Sequence, residues 1–183
     1  MKQSLIFFGA IVFASFIFSA CGNKNTEGQN TADSGNAENN KMKSEQELRD
    51  ANDQFYVALN IMFTGNIEPM NAIWSHGEDV TIMSPFDGRL ESWDVVGAEF
   101  KKEAGMKLGG KVICKDLLVH AGTDMGYTVC IEEGENMSAD GKPVPVHFRA
   151  TNIFRLENSQ WKMVHHHTDI SSALQEAVKA EAK

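Results

Sequence analysis

The chain predicts an α+β domain: an antiparallel sheet with helices packed on one face. Three observations carry this. Apolar residues recur at three- and four-residue spacing in the first part, from Leu48 to about Ala104. After Gly109-Gly110 the character changes to long stretches that alternate every two residues. Helical and strand segments are segregated, with no βαβ alternation and no internal repeat.

The elements follow in order. Leu48, Ala51, Phe55, Ala58, Leu59 and Met62 form one apolar stripe, so Ser44 to Phe63 reads as a helix, with Ser44 and Glu47 as its capping box and Gly65 as its end. Asn66 caps a short helix over Ile67 to Trp74, with Pro69 in its first turn. Asp79 to Ser84 is a short strand, and Pro85-Phe86-Asp87-Gly88 is turn chemistry. Ser92 caps a third helix that carries Trp93, Val96 and Phe100 on one face. Four strands complete the domain: Lys111 to His120, Asp124 to Glu133, Val144 to Leu156 and Trp161 to Thr168, with a loop over Gly134 to Lys142.

The N-terminal part belongs to export, not to the fold. Lys2, the apolar run Leu5 to Phe18, and then Ser19-Ala20-Cys21 make a charged start, an apolar core and a small-residue cleavage site. The Phe18-Ser19-Ala20-Cys21 end resembles a lipobox, with Phe where Leu is usual. It implies cleavage before Cys21 and acylation of that cysteine, with palmitate-type chains as a stable anchor. Gly22, in place of Asp, points to the outer membrane, facing the periplasm. Residues 22–43 hold no aromatic and no β-branched aliphatic residue, so they read as a flexible tether. The division is therefore a signal peptide over 1–20, a tether over 21–43, a domain over 44–170 and a helical tail over 171–183.

The net charge of −8 disfavours nucleic acid and anionic lipid surfaces as partners. No glycine motif for phosphates occurs, and nothing calls for a cofactor. Cys114 and Cys130 fall on neighbouring strands. A three-residue turn at Ala121-Gly122-Thr123 sets them opposite each other and a two-residue turn does not, so disulfide and buried thiols both stay open.

The turn at Asn158-Ser159 fixes the register of the last hairpin. It sets Leu156 against Trp161, Phe154 against Met163, Asn152 against His165 and Ala150 against His167. Asn152, His165 and His167 then continue the core face into a concavity. The opposite face carries Arg149, Thr151, Ile153 and Val164.

The order of elements, ending Trp161-Lys162-Met163-Val164-His165-His166-His167, resembles the SnoaL-like branch of the nuclear transport factor 2 superfamily. The last strand also resembles that of the association domain of calcium/calmodulin-dependent protein kinase II. The resemblance implies a cone-shaped sheet whose concave face holds a pocket, and a homodimer through the convex face. Ketosteroid isomerase, in the same superfamily, places a carboxylate base where this chain has Ser84. A catalytic reading therefore falls on His165, His167 and Asp169, as an isomerase, cyclase or dehydratase. The same three, with His76 or His147, are the residues a metal would take; the favoured reading has none. It is a pocket for a small, partly apolar molecule, lined by Tyr56, Trp74, Met83, Trp93, Asn152, Phe154 and Met163, with no chemistry required.

Overall fold

The structure, a computed structural model, describes residues 29–85, 88–138, 140–170 and 172. The expected signal peptide, Cys21 and, apart from Ser172, the C-terminal tail lie outside the described residues. No helix among those described is long and apolar enough to cross a membrane.

The first helix, α1, is Gln29–Met62, so it begins well before Ser44. Residues 35–43 are exposed, and the first buried side chain is Leu48. The composition of this stretch is indeed too poor to bury, but helix propagation does not need burial once a turn exists. Lys41–Glu45 and Lys43–Glu47 pairs at 3.9 and 3.7 Å carry the helix across the expected boundary. Each contributes about 0.2–0.5 kcal/mol at most.

Helix α2 is Glu68–Ile73, with the Asn66 side chain accepting the Glu68 N–H at 3.0 Å. Strand β1 is Thr81–Met83. A strand absent from the sequence reading, β2 (Arg89–Glu91), pairs with it as a hairpin. Helix α3 is Trp93–Met106. Ser92 precedes it at φ 74 but makes no side-chain cap. Its N–H is held by the Val80 carbonyl at 2.8 Å, which fixes the backbone against that geometry. Four long strands follow: β3 (Lys111–Ala121), β4 (Met125–Met137), β5 (Pro143–Glu157) and β6 (Gln160–Ile170). β4 runs on into the expected loop as far as Met137 because Gly134, at φ 149, lets the strand bend and continue.

The strand order is β2-β1-β6-β5-β4-β3, in one curved, unclosed cone. Every pairing is antiparallel except β1 on β6, which is parallel. Helix α1 crosses the concave face so closely that a Cβ on Gly126 would meet Leu48 Cδ2 at 2.5 Å. Between helices and sheet, Phe55 packs edge to face on Trp74 at 6.5 Å between ring centres, and Phe100 packs tilted on Trp74 at 5.3 Å. These rings share one hydrophobic core with Phe154 and Met163.

Candidate functional site

The β5–β6 hairpin positions the site, and it departs from simple alternation at one residue. Asn158 and Ser159, at φ 50 and 63, make a two-residue turn. Leu156↔Trp161, Arg155↔Lys162 and Phe154↔Met163 pair as expected. Then Val164 is extra: Ile153 pairs with His165, Asn152 with His166 and Thr151 with His167. A bulge of this kind exchanges the faces of everything beyond it. Its place has a cause. β6 meets the Trp74-Ser75 segment at Met163 and β1 from His165 onward, so its neighbour changes between these residues.

The bulge turns His166 and Thr168 into the cone, and turns His165, His167 and Asp169 out of it. His165 Nδ1 lies 2.7 Å from the Thr81 hydroxyl. Burial, then the neighbouring His167, holds its imidazole below the ordinary range. Asp169 makes a two-pronged ion pair with Arg149, which holds its carboxyl below the usual carboxylate range. These three residues line the back of the sheet, and no group of metal-ligating side chains occurs among the described residues. Val164, expected on the outer face, is buried at the bulge.

A cavity of about 720 Å³ lies between α1, α3 and the sheet. Phe55, Leu59, Phe63, Phe100, Val112 and Val146 supply apolar wall, and Glu99, Lys102 and Glu103 of α3 stand at the rim. The seven residues expected to line it do not touch it. Trp74, Phe154 and Met163 are core, Asn152 is wholly buried, Tyr56 stands one layer back, Met83 pairs with β2, and Trp93 stacks on His76 at 4.4 Å. They form the wall behind the lining.

Among the polar residues that reach the cavity from the sheet are Glu132 of β4 and His166 of β6. β4 alternates so that Thr128, Cys130 and Glu132 face α1. Glu132 is 4 % exposed, and burial pushes its carboxyl up to about 7. The Tyr56 hydroxyl donates to its Oε1 at 3.1 Å, which works the other way. Burial drives the Tyr56 hydroxyl above its ordinary range. His166 Nε2 stands 3.8 Å from Glu132 Oε1. That is wider than a hydrogen bond, so both groups keep a valence for something in the cavity. Burial holds His166 neutral, down to about 3, with His165 and His167 adding to the effect.

The tautomer of His166 is set by a relay. Asn52 Oδ1 accepts the Thr128 hydroxyl at 2.8 Å and Asn152 Nδ2 at 2.9 Å. Asn152 must therefore turn Oδ1 toward His166 Nδ1, at 2.6 Å. An amide oxygen only accepts, so Nδ1 carries the proton and Nε2 presents its lone pair to the cavity. Nitrogen-15 NMR of the side chain at pH 7 should show a protonated Nδ1 and a bare Nε2; the opposite tautomer would break the relay.

Asn52, Thr128, Cys130, Glu132 and His166 were not among the expected site residues. The signal for the β4 set was available, since Thr128, Cys130 and Glu132 share one face. It was masked by Val129 and Ile131, which look more like core and lie on the outer face.

The comparisons agree with the fold. Residues 48–173 match the family model of the SnoaL-like domain. A proposed dehydratase of the nuclear transport factor 2-like family from Streptomyces avermitilis has 22% identity and a TM-score of 0.63, over 70% of this chain and 96% of that one. A proposed calcium/calmodulin-dependent protein kinase type II association domain from Thiobacillus denitrificans has 24% identity and a TM-score of 0.56, over 67% and 93%. A nuclear transport factor 2-like superfamily protein from Salmonella enterica has 12% identity and a TM-score of 0.61, over 72% and 94%. No curated protein matches. Identities this low speak to fold alone, but the family model spans most of the chain: it belongs to the SnoaL-like domain family.

Proposed function

We propose that this chain is a lipid-anchored SnoaL-like domain whose cavity binds a small, largely apolar molecule through neutral polar groups. One observation carries the reading: Glu132 and His166 meet an apolar cavity with unused hydrogen-bonding valence. A volume of about 720 Å³ suits a small ligand. The floor favours a hydroxyl, amide or carbonyl over an anion, because Glu132 would repel a carboxylate or phosphate as it ionised. Asn136 and His147 also line the cavity, and their Oδ1 and Nε2 atoms are buried without a protein partner.

The first 21 residues support the anchor and an outer-membrane, periplasm-facing location. A homodimer through the convex face fits the exposed Ile113, Leu118, Met125 and Tyr127, and the solved relatives named as association domains.

The neutral fluorophore N-phenyl-1-naphthylamine tests the pocket. Its fluorescence should rise on binding, and Val146→Trp, which fills the cavity, should abolish the rise. Glu132→Leu should weaken binding about ten-fold, the worth of one buried hydrogen bond. Binding that ignores Val146→Trp places the probe elsewhere and sinks the reading. The same samples should sediment as dimers.

A second reading adds proton transfer. A carboxyl held near 7 is poised to give or take a proton, with the Tyr56 hydroxyl holding its Oε1 from behind. A cyclic β,γ-unsaturated ketone should then exchange its α-protons with heavy water in the wild type but not in Glu132→Gln.

A further inference from the structure

Two thiols lie beside the cavity floor, and neither ligand binding nor proton transfer uses them. Cys114 of β3 pairs with Glu132, so Cys130, two residues along β4, lies diagonally across from it on the same inner face. This is not the directly opposed pairing that a three-residue turn would give. The β3–β4 ladder breaks just beyond, between Lys115 and Leu118, where Asp116 has φ 52. Both cysteines are free, and they neighbour each other diagonally across the β3–β4 ladder. Each is held from the far side by α1: Asn52 Nδ2 donates to Cys114 Sγ at 3.7 Å, and the Tyr56 hydroxyl lies 3.1 Å from Cys130 Sγ.

We propose that Cys114 and Cys130 are a thiol–disulfide site that low-molecular-weight disulfides oxidise to an intramolecular bond. The geometry assigns the roles. Cys114 is half-buried and open to attack on a small disulfide, whereas Cys130 is 7 % exposed and can react only with its neighbour. The contact with Cys130 holds the Cys114 thiol below its ordinary range, and the contact with Cys114, then burial, pushes Cys130 up. A thiolate at Cys114 is therefore the nucleophile.

The reaction balances in two exchanges. Cys114 sulfur attacks the small disulfide, forming a mixed disulfide and releasing one thiolate. Cys130 sulfur then attacks Cys114 sulfur, its proton passing to the departing thiolate, and the second small thiol leaves. Both cysteines are oxidised and one disulfide is reduced to two thiols. A diagonal pair sits somewhat under about 7–8 Å apart at Cβ in a regular ladder and a disulfide needs about 4 Å. The break at Asp116 is where β3 can shift. Bond formation withdraws Cys130 Sγ from Tyr56, whose other partner is Glu132, so the site reports directly on the cavity floor.

Oxidised glutathione tests this on the full chain carrying Cys21→Ser, followed by acid quenching, alkylation and peptide mapping. The expected product has lost two hydrogens and contains a peptide joining Cys114 to Cys130, reversed by dithiothreitol. Cys130→Ser should trap glutathione on Cys114, and Cys114→Ser should leave Cys130 unmodified while the chain is folded, as judged by circular dichroism. Both thiols still open to alkylation in the unsubstituted pair, or a lasting glutathione adduct with Cys130 free, would overturn the proposal.

Discussion

Replacing Glu132 by Gln should make the folded chain about 3 kcal/mol more stable above pH 7 and leave it exposed to acid below pH 6.5. The sign follows from the two pKa shifts. The Glu132 carboxyl rises from 4.5 to about 7 on folding, so its stabilising proton is fully bound below 4.5 and lost as pH rises through 7. His166 falls from 6.5 to about 3, so its neutral form stabilises the fold above 6.5, and that stability is lost as pH falls toward 3. Between about pH 4.5 and 6.5 the two slopes are equal and opposite, near 1.4 kcal/mol per pH unit each, and the wild-type contribution is level. Glu132→Gln unmasks the histidine slope, and His166→Gln unmasks the carboxyl slope, running the other way. Urea denaturation at half-unit pH steps measures all three. Groups common to the three proteins cancel in the differences. Variants that track the wild type across this range would show that neither group is held as the structure places it.

That experiment turns on residues whose faces had to be found by structure. Most of the fold was legible because its signals are local and repeated. The stripe Leu48, Ala51, Phe55, Ala58 and Met62 is buried as its spacing requires. The turn at Asn158-Ser159 sets the first pairs of the last hairpin as alternation requires. The start of α1 was not legible, because residues 35–43 bury nothing and extend the helix that Leu48 onward anchors. Strand β2 was missed because three residues beside a turn carry no period.

The site failed on one residue. The run His165-His166-His167 offers an imidazole to the cavity in either register, so it cannot report which register holds. The choice is made by Val164, and Val164 bulges because of the segment beside β6 there: Trp74 and Ser75 up to Met163, β1 beyond it. That is a non-local fact, set by a chain segment some ninety residues earlier. Asn152 kept its place because it lies on the strand without the extra residue. The carboxylate in the pocket was overlooked for a related reason. A charged residue on a strand reads as solvent-facing, and only its neighbours Thr128 and Cys130 show that the polar side of β4 is the inner one.

Asn52 sits where these threads meet, and its loss should be the most damaging single change in the domain. It is wholly buried on α1, in the apolar stripe one position after Ala51. Its side chain accepts from Thr128 and Asn152 and donates to Cys114. Asn52→Leu keeps the branched outline and the number of side-chain heavy atoms and gains apolar surface, yet it strands the Thr128 hydroxyl and the Asn152 amide in a dry interior. Each orphan costs about 1–3 kcal/mol, so the expected loss is about 2–6 kcal/mol, read as a fall in the urea midpoint. Thr128→Val removes one donor and leaves Asn52 its second, so it should cost about 1 kcal/mol. In the double variant Thr128 can no longer be stranded, and the combined loss should fall short of the two single losses added together. Additive losses would mean that the two residues do not share a bond. Asn52→Leu also frees the Asn152 amide to turn over, so the surviving folded fraction should lose the single His166 tautomer, and with it the lone pair that the cavity is offered.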